Sequence, residues 1–400
     1  MSVTNLNKNI LRLFTVLNSP GSIESKVQDF RYLDWPALVS KINEAGLAGY
    51  FADVLSAPEM SGVIHKEALV KLTNAARRIA AHNAFYEDQA SKILTGLSAL
   101  GVECLLLKGF SYMAEIYGNN SARRMSDIDL LIHLADRFRV RDYLLSESFI
   151  PYIEPTFRGS ADEFILVADF AREAHYTKKT GVLALHIDLH WKMQANFEGH
   201  PMNDALALDT LPWWYSTSHV AIGKATALRL SPEMQLIHMA IHFALHHQFN
   251  GMRWFIELCL FIHKFGNVIK PESISAIVRS PDCRKVLGIT LRMTEEALGY
   301  SFENRLNWRG FMPKGALLPG EYSFYKKCLM RNYRSKIATY LCMLLAPSTM
   351  AGRWRMVKYF LFDPHSVMFW WVSGKSGSKW LQPFYIFYRL IREALRRRHA

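Results

Sequence analysis

The sequence predicts an α+β protein, a small mixed β-sheet embedded between N-terminal and C-terminal helical regions. Three observations lead there. Residues 3–100 repeat apolar side chains at three- and four-residue intervals. Residues 101–195 hold short apolar runs that alternate with period two or end in glycine turns. Long helical patterns then resume at residue 231. The organisation implied is an N-terminal helical region over 1–100, an α/β core over 101–195, a helical region packing on that core over 196–300, and a basic, aromatic-rich helical region over 301–400.

Taken in order, "NAARRIAAHNAFYEDQASKILTGLSALG" carries Ala, Ile, Leu and Phe at helical spacing and ends at Gly101. "VECLLLKG" reads as a buried strand feeding a turn at Lys108-Gly109, and "FSYMAEIYG" as a short helix stopped by Gly118. "DIDLLIH" is the next strand and "ADRFRVRDYLLSESF" an amphipathic helix. "AHYTKK" and "LALHIDLHW" alternate on either side of Gly181, the pattern of an antiparallel hairpin. "SPEMQLIHMAIHFALHH" starts with Ser231 as N-cap and Pro232 at the first helical position, and "MRWFIELCLFIHKFG" is a second helix ended by Gly266. "IATYLCMLLA", at 337–346, is too short to span a bilayer and reads as a core helix.

Composition narrows the function classes. Half the residues are apolar and 21% are charged, an ordinary globular balance. The five cysteines, Cys104, Cys259, Cys283, Cys328 and Cys342, are odd in number and lack a CxxC pair, against both a disulfide framework and a zinc site. The start "MSVTNLNKNI" lacks a secretory signal and no apolar run reaches eighteen residues, so a cytoplasmic location is expected. The net charge of +13 is concentrated: residues 301–400 carry 18 Lys and Arg against 4 Asp and Glu, leaving 30 against 31 elsewhere.

The chemistry-bearing stretch is "RRMSDIDLLIH". Strand alternation puts Asp127, Asp129 and Leu131 on one face and Ile128, Leu130 and Ile132 on the other. Two carboxylates on one face repel unless a cation sits between them, and Mg²⁺ favours carboxylate oxygens shared with substrate phosphates. A strand edge with both aspartates solvated or paired to Arg123, Arg124 or Lys108 is the plainer alternative. In "LHIDLHW" the same alternation aligns His186, Asp188 and His190, offering a third carboxylate. Lys108-Gly109, at a strand-to-helix turn, offers a lysine charge and free backbone amides to an anion.

The order "LLLKG", "SDIDLLI", "HIDLHW", "LSPEMQLIHMAIHFALHH" and "RWFIEL", over roughly 75–265, resembles the bacterial family of uncharacterised nucleotidyltransferases within the DNA polymerase β-like superfamily. The resemblance implies a small mixed sheet flanked by helices and metal ligands at Asp127, Asp129 and Asp188. It departs in detail. Most of the superfamily carries Gly-Ser where this chain, like its own family, has Lys108-Gly109, and Glu257 stands where the family pattern favours aspartate. The implied reaction is in-line attack of an acceptor hydroxyl on the α-phosphorus of a nucleoside triphosphate, with Mg²⁺ or Mn²⁺ as cofactor and pyrophosphate released. Lys108, the Gly109 amide and Arg123 would bind the phosphates, and Asp188 could also accept the proton.

Other motifs carry less. His238, His242 and His246 line one helix face, a structural or substrate-lining stripe more readily than a metal site, because HxxxH here lacks an evident third ligand. Arg253 and Glu257 fit a surface or semi-buried pair. "SGKSGSKW" is rejected as a phosphate loop because Phe369 stands where glycine is required. The basic, aromatic tail fits a nucleic-acid surface, a peripheral contact with the inner membrane or another anionic polymer, or a helical cap on the core. The alternatives to a metabolic nucleotidyltransferase are a toxin-like transferase modifying tRNA or protein, and a catalytically silent nucleotide- or membrane-binding scaffold.

Overall fold

The computed structural model describes residues 3–18, 28–152, 172–181, 183–193, 201–313, 317–329 and 336–362. Among them, four helices precede the sheet: α1 (Val3–Asn18), α2 (Trp35–Glu44), α3 (Ala48–Leu55) and α4 (Lys66–Ala99). Asp34 caps α2 by accepting from the Ala37 amide. The 34-residue α4 is the spine of the molecule. Its first half buries Leu72, Ala75 and Ile79 in one apolar cluster, and its second half buries Tyr86, Ile93 and Leu97 in another.

The sheet combines β1 (Cys104–Leu106), β2 (Ile128–Ile132), β3 (Ile150–Pro151), β4 (Glu173–Thr180), β5 (Leu183–His190), β6 (Thr217–Ile222) and β7 (Ala225–Leu230) in the order β3-β4-β5-β2-β1-β7-β6. It is mixed: β2 pairs β5 in parallel and β1 pairs β7 in parallel, and the remaining neighbours are antiparallel. Helix α5 (Gly109–Tyr117) links β1 to β2, and α6 (Arg137–Ser146) follows β2. The fold class is α+β, as the sequence predicts.

The β6–β7 hairpin lies at 217–230, in a span read from sequence as helical. Its outer strand is an edge with a single buried side chain, Ile222, so it lacks the apolar alternation that marked the inner strands. Its turn is tied down where the Lys224 amide donates to Ser91 Oγ of α4 at 3.0 Å.

The sheet buries both faces, and period-two alternation divides them. Ile128, Leu130, Ile132, Ile187 and Leu189 join the cluster with the end of α4, whereas Leu105, Leu107, Leu131 and Leu230 face the helical body. That body includes α7 (Pro201–Leu206), α8 (Pro232–Ile241), α9 (Met252–Phe265), α10 (Pro271–Ile277), α11 (Pro281–Leu298), α12 (Glu321–Leu329), α13 (Lys336–Leu345) and α14 (Met350–Phe362). Ser231 caps α8 by accepting from the Met234 amide at 3.3 Å, as its sequence foretells. In α13, Cys342 and Met343 are buried, in keeping with a core helix.

The basic region is partly absorbed by the core. Arg353 of α14 is buried and lies 3.6 Å from Glu321, which also pairs with the fully buried Lys285 at 2.7 Å. Residues 363–400, with the SGKSGSKW stretch and most of the basic, aromatic tail on which the membrane and anionic-polymer readings rest, lie outside the described residues. No helix among the described residues is long and apolar enough to cross a membrane.

Candidate active site

The parallel pairing of β2 with β5 sets Asp129 directly opposite Asp188. Asp127 lies just before β2, two residues from Asp129 and on the same face. One carboxylate oxygen from each of Asp127, Asp129 and Asp188 falls within 4.8 Å of the others. The structure thus brings together the three aspartates that the sequence singled out.

Lys108 joins them from the neighbouring strand. The Leu107 amide donates to the Asp129 carbonyl at 3.0 Å, which extends the β1–β2 ladder to the turn and delivers Lys108 Nζ to 2.5 Å from Asp129 Oδ1. The lysine has φ 52° and ψ −132°, a backbone conformation that glycine adopts freely and other residues pay for, on the order of 1–3 kcal/mol. The chain accepts this strain at the position that places an ammonium on the carboxylates. Gly109 is constrained too: a Cβ there would fall 2.1 Å from Arg123 Nη1, so the guanidinium passes directly beneath the turn.

Arg123 itself is 5% exposed, with Nε 2.7 Å from Glu257 Oε1 on α9. Arg253 lies farther from the same oxygen, at 3.7 Å, so Glu257 belongs first to Arg123 rather than to its partner four residues away on the helix. Lys108, Gly109, Arg123 and Glu257 line a cleft together with Tyr112, Gln235, His238 and Phe261, among others.

Two groups on β4 escaped the sequence reading. The β4–β5 register places His175 opposite Asp188, and His175 Nδ1 is 2.7 Å from Asp188 Oδ1. Glu173 pairs with His190, whose Nδ1 lies 3.1 Å away, and His190 Nε2 is 3.5 Å from Asp129. The signal was available: a hairpin closed at Gly181 fixes which β4 residue faces Asp188. His186, the other histidine beside Asp188, makes an edge contact with Tyr152.

The electrostatics separate the aspartates. Burial pushes Asp129 up, but Lys108 and His190 outweigh it and hold that carboxyl well below the usual range. Burial lowers His190, yet Asp129 and Glu173 carry it up to about 9, so it is a cation at neutral pH. Burial raises Glu173, and His190 reverses this to bring it down to about 2. Asp127 behaves oppositely. Burial and the charge of Asp129 raise it, and among the described residues its one close partner is the Ser126 hydroxyl, which donates to Oδ1 at 2.9 Å. The cluster therefore holds one carboxylate short of positive charge.

The approach to the site is pinned by α4. Buried Asn83 donates from Nδ2 to the carbonyls of Asn120 and Arg123, at 2.6 and 2.7 Å, and accepts from the Met125 amide at 2.9 Å. Tyr86 Oη donates to the carbonyls of Ser126 and Ala184, at 3.0 and 2.9 Å, tying the residue before Asp127 to β5. Helix α3 closes the other side, where a Cβ on Gly49 would fall 1.7 Å from the Ser121 carbonyl oxygen.

This donor set suits a hard divalent cation: three carboxylates in reach of one another, one of them under-neutralised, with the Lys108 ammonium already standing as a cation against Asp129. No curated protein and no solved structure matches the chain. A family model described as uncharacterised nucleotidyltransferase matches residues 32–299. That span takes in the whole carboxylate cluster, the Lys108-Gly109 turn and the helices across the cleft, and the chain belongs to this nucleotidyltransferase family.

Proposed function

We propose that the protein is a Mg²⁺-dependent nucleotidyltransferase that moves a nucleoside monophosphate from a nucleoside triphosphate to a hydroxyl acceptor. The observation that carries this reading is the convergence of Asp127, Asp129 and Asp188 beside a cationic turn, in a chain of the nucleotidyltransferase family. Mg²⁺, or Mn²⁺ in its place, would be held by these three carboxylates; when bound it neutralises triphosphate charge and acidifies the attacking hydroxyl.

The chain's own residues do the rest. Lys108 and the Gly109 amide hold the β- and γ-phosphates, and Arg123, beneath Gly109, adds positive potential where charge grows on the leaving group. The acceptor oxygen bonds to the α-phosphorus, the bond from that phosphorus to the bridging oxygen breaks, and pyrophosphate departs. The hydroxyl proton passes to Asp188, which His175 keeps in orientation through its 2.7 Å hydrogen bond.

The test is incubation of the full chain with each α-labelled NTP, Mg²⁺ and fractionated cell extract. Pyrophosphate release with label entering one fraction is the expected result, lost in Asp127→Asn and Asp188→Asn. No release with any triphosphate, or equal release by the variants, would overturn the reading. The labelled fraction names the acceptor class: sugar or lipid for biosynthesis, tRNA or protein for a toxin-like transferase.

A further inference from the structure

Across the cleft, α8 ends in a single π-helical turn, His242–His246, in which the His247 amide donates to the His242 carbonyl at 3.2 Å. Single π turns in helices are frequent at functional positions. The extra residue breaks the stripe that sequence spacing suggests: His238 is left behind, and His242, His246 and His247 are gathered with one ring nitrogen each within 4.8 Å of the others. His242 Nε2 and His247 Nε2 are 2.9 Å apart.

We propose that His242, His246 and His247 form a second metal site, one for a divalent transition metal of the Zn²⁺ class. A tetrahedral zinc with bonds of about 2.0–2.1 Å sets neighbouring ligand nitrogens roughly 3.3 Å apart, a span that turning the rings can reach from nitrogens already within 4.8 Å of one another. An all-imidazole donor set suits Zn²⁺, Cu²⁺ or Ni²⁺ and offers Mg²⁺ no oxygen. The two sites thus differ in the metal they select.

The surroundings hold the cluster in shape. Gln248 and Phe249, directly after it, both take left-handed conformations, at φ 53° and 56°, that non-glycine residues avoid. Phe249 is kept there by aromatic contacts with Phe243 and Tyr325, at 5.6 and 5.3 Å. Strain that the core over-determines in this way gathers at ligand sites. Trp254 stacks on His247 with ring centroids 4.1 Å apart, which fixes one imidazole. Three protein ligands leave a fourth position open, and His242 lines the cleft that Lys108 also lines.

The experiment is a Zn²⁺ titration of the untagged, chelator-stripped full chain against a chromophoric chelator, repeated with Co²⁺ to read its tetrahedral absorption bands. It reads binding and not nucleotide transfer, so its outcome is independent of the carboxylate reading. One tight equivalent is expected. His246→Ala, at an exposed position, and His247→Gln should each weaken it at least tenfold with the melting temperature preserved, whereas Asp127→Asn should leave it unchanged. Absence of a tight equivalent, unchanged affinity in both histidine variants, or loss that follows Asp127→Asn would overturn the site.

Discussion

Lys108, which reaches the carboxylate cluster, and His242, of the imidazole cluster, line one cleft, but the two clusters are assembled by opposite means. Asp127, Asp129 and Asp188 come from two strands joined in parallel, and residues nearly sixty positions apart meet through sheet register. His242, His246 and His247 come from six consecutive residues and meet through a local defect in one helix. The first arrangement rests on the whole sheet and on α4, and its side chains repel one another. The second rests on a turn. A site built from charge is costly to the fold without its cation, while one built from imidazoles is tolerated.

The largest effect should come from Asp127. Asp127→Asn is expected to lower transfer on the order of a hundredfold or more, as losing a preorganised charge at a reacting centre does. The same change relieves repulsion from Asp129. Because the carboxyl of Asp127 is raised by burial and by that neighbour, its ionised form at neutral pH opposes folding, and the variant should melt at the same temperature as the parent or higher. A calorimetric scan beside the transfer assay checks both, and a variant that loses activity by unfolding would break the contrast.

Asn83→Ala comes next. It strips partners from the Asn120 and Arg123 carbonyls and the Met125 amide, at about 1–3 kcal/mol for buried groups left unsatisfied, and loosens the segment that carries Arg123 and Asp127. Urea denaturation should register the loss, and the Zn²⁺ affinity of the imidazole cluster should not follow it. Gly49→Ala, which drives a methyl into the Ser121 carbonyl, should destabilise by a similar 1–3 kcal/mol through the same segment.

At neutral pH the smallest effect concerns His238, left between the two clusters. Burial lowers its pKa to about 3. Between pH 6.5 and that value the unfolded chain binds a proton that the folded chain refuses, so stability rises with pH across this window and is lost as pH falls through it. His238→Gln should flatten that part of the curve of melting temperature against pH; an unchanged slope would show that His238 is protonated in the fold.

Several of these features were legible before any coordinates. Alternation in "DIDLLIH" put both aspartates on one face because a buried strand leaves its pattern in the sequence, and Ser231-Pro232 announced α8 because a cap is a local event. The Gly181 hairpin was legible too, although the register that sets His175 opposite Asp188 was not drawn from it. What stayed hidden depends on non-local pairing or on a local exception. The β2–β5 match leaves no mark in either strand alone. The partnership of Arg123 with Glu257 joins a loop to a distant helix, against the simpler i,i+4 pair with Arg253. The π turn follows from nothing in "HFALHH", whose spacing fits an ordinary helix.

The most direct test of the central claim is anomalous diffraction from crystals grown with Mn²⁺ and a non-hydrolysable nucleoside triphosphate. The expected result is a manganese peak bridging the carboxylates of Asp127, Asp129 and Asp188, with the triphosphate against Lys108 and Gly109. Manganese bound elsewhere, or a nucleotide seated away from the carboxylates with no metal between them, would contradict it.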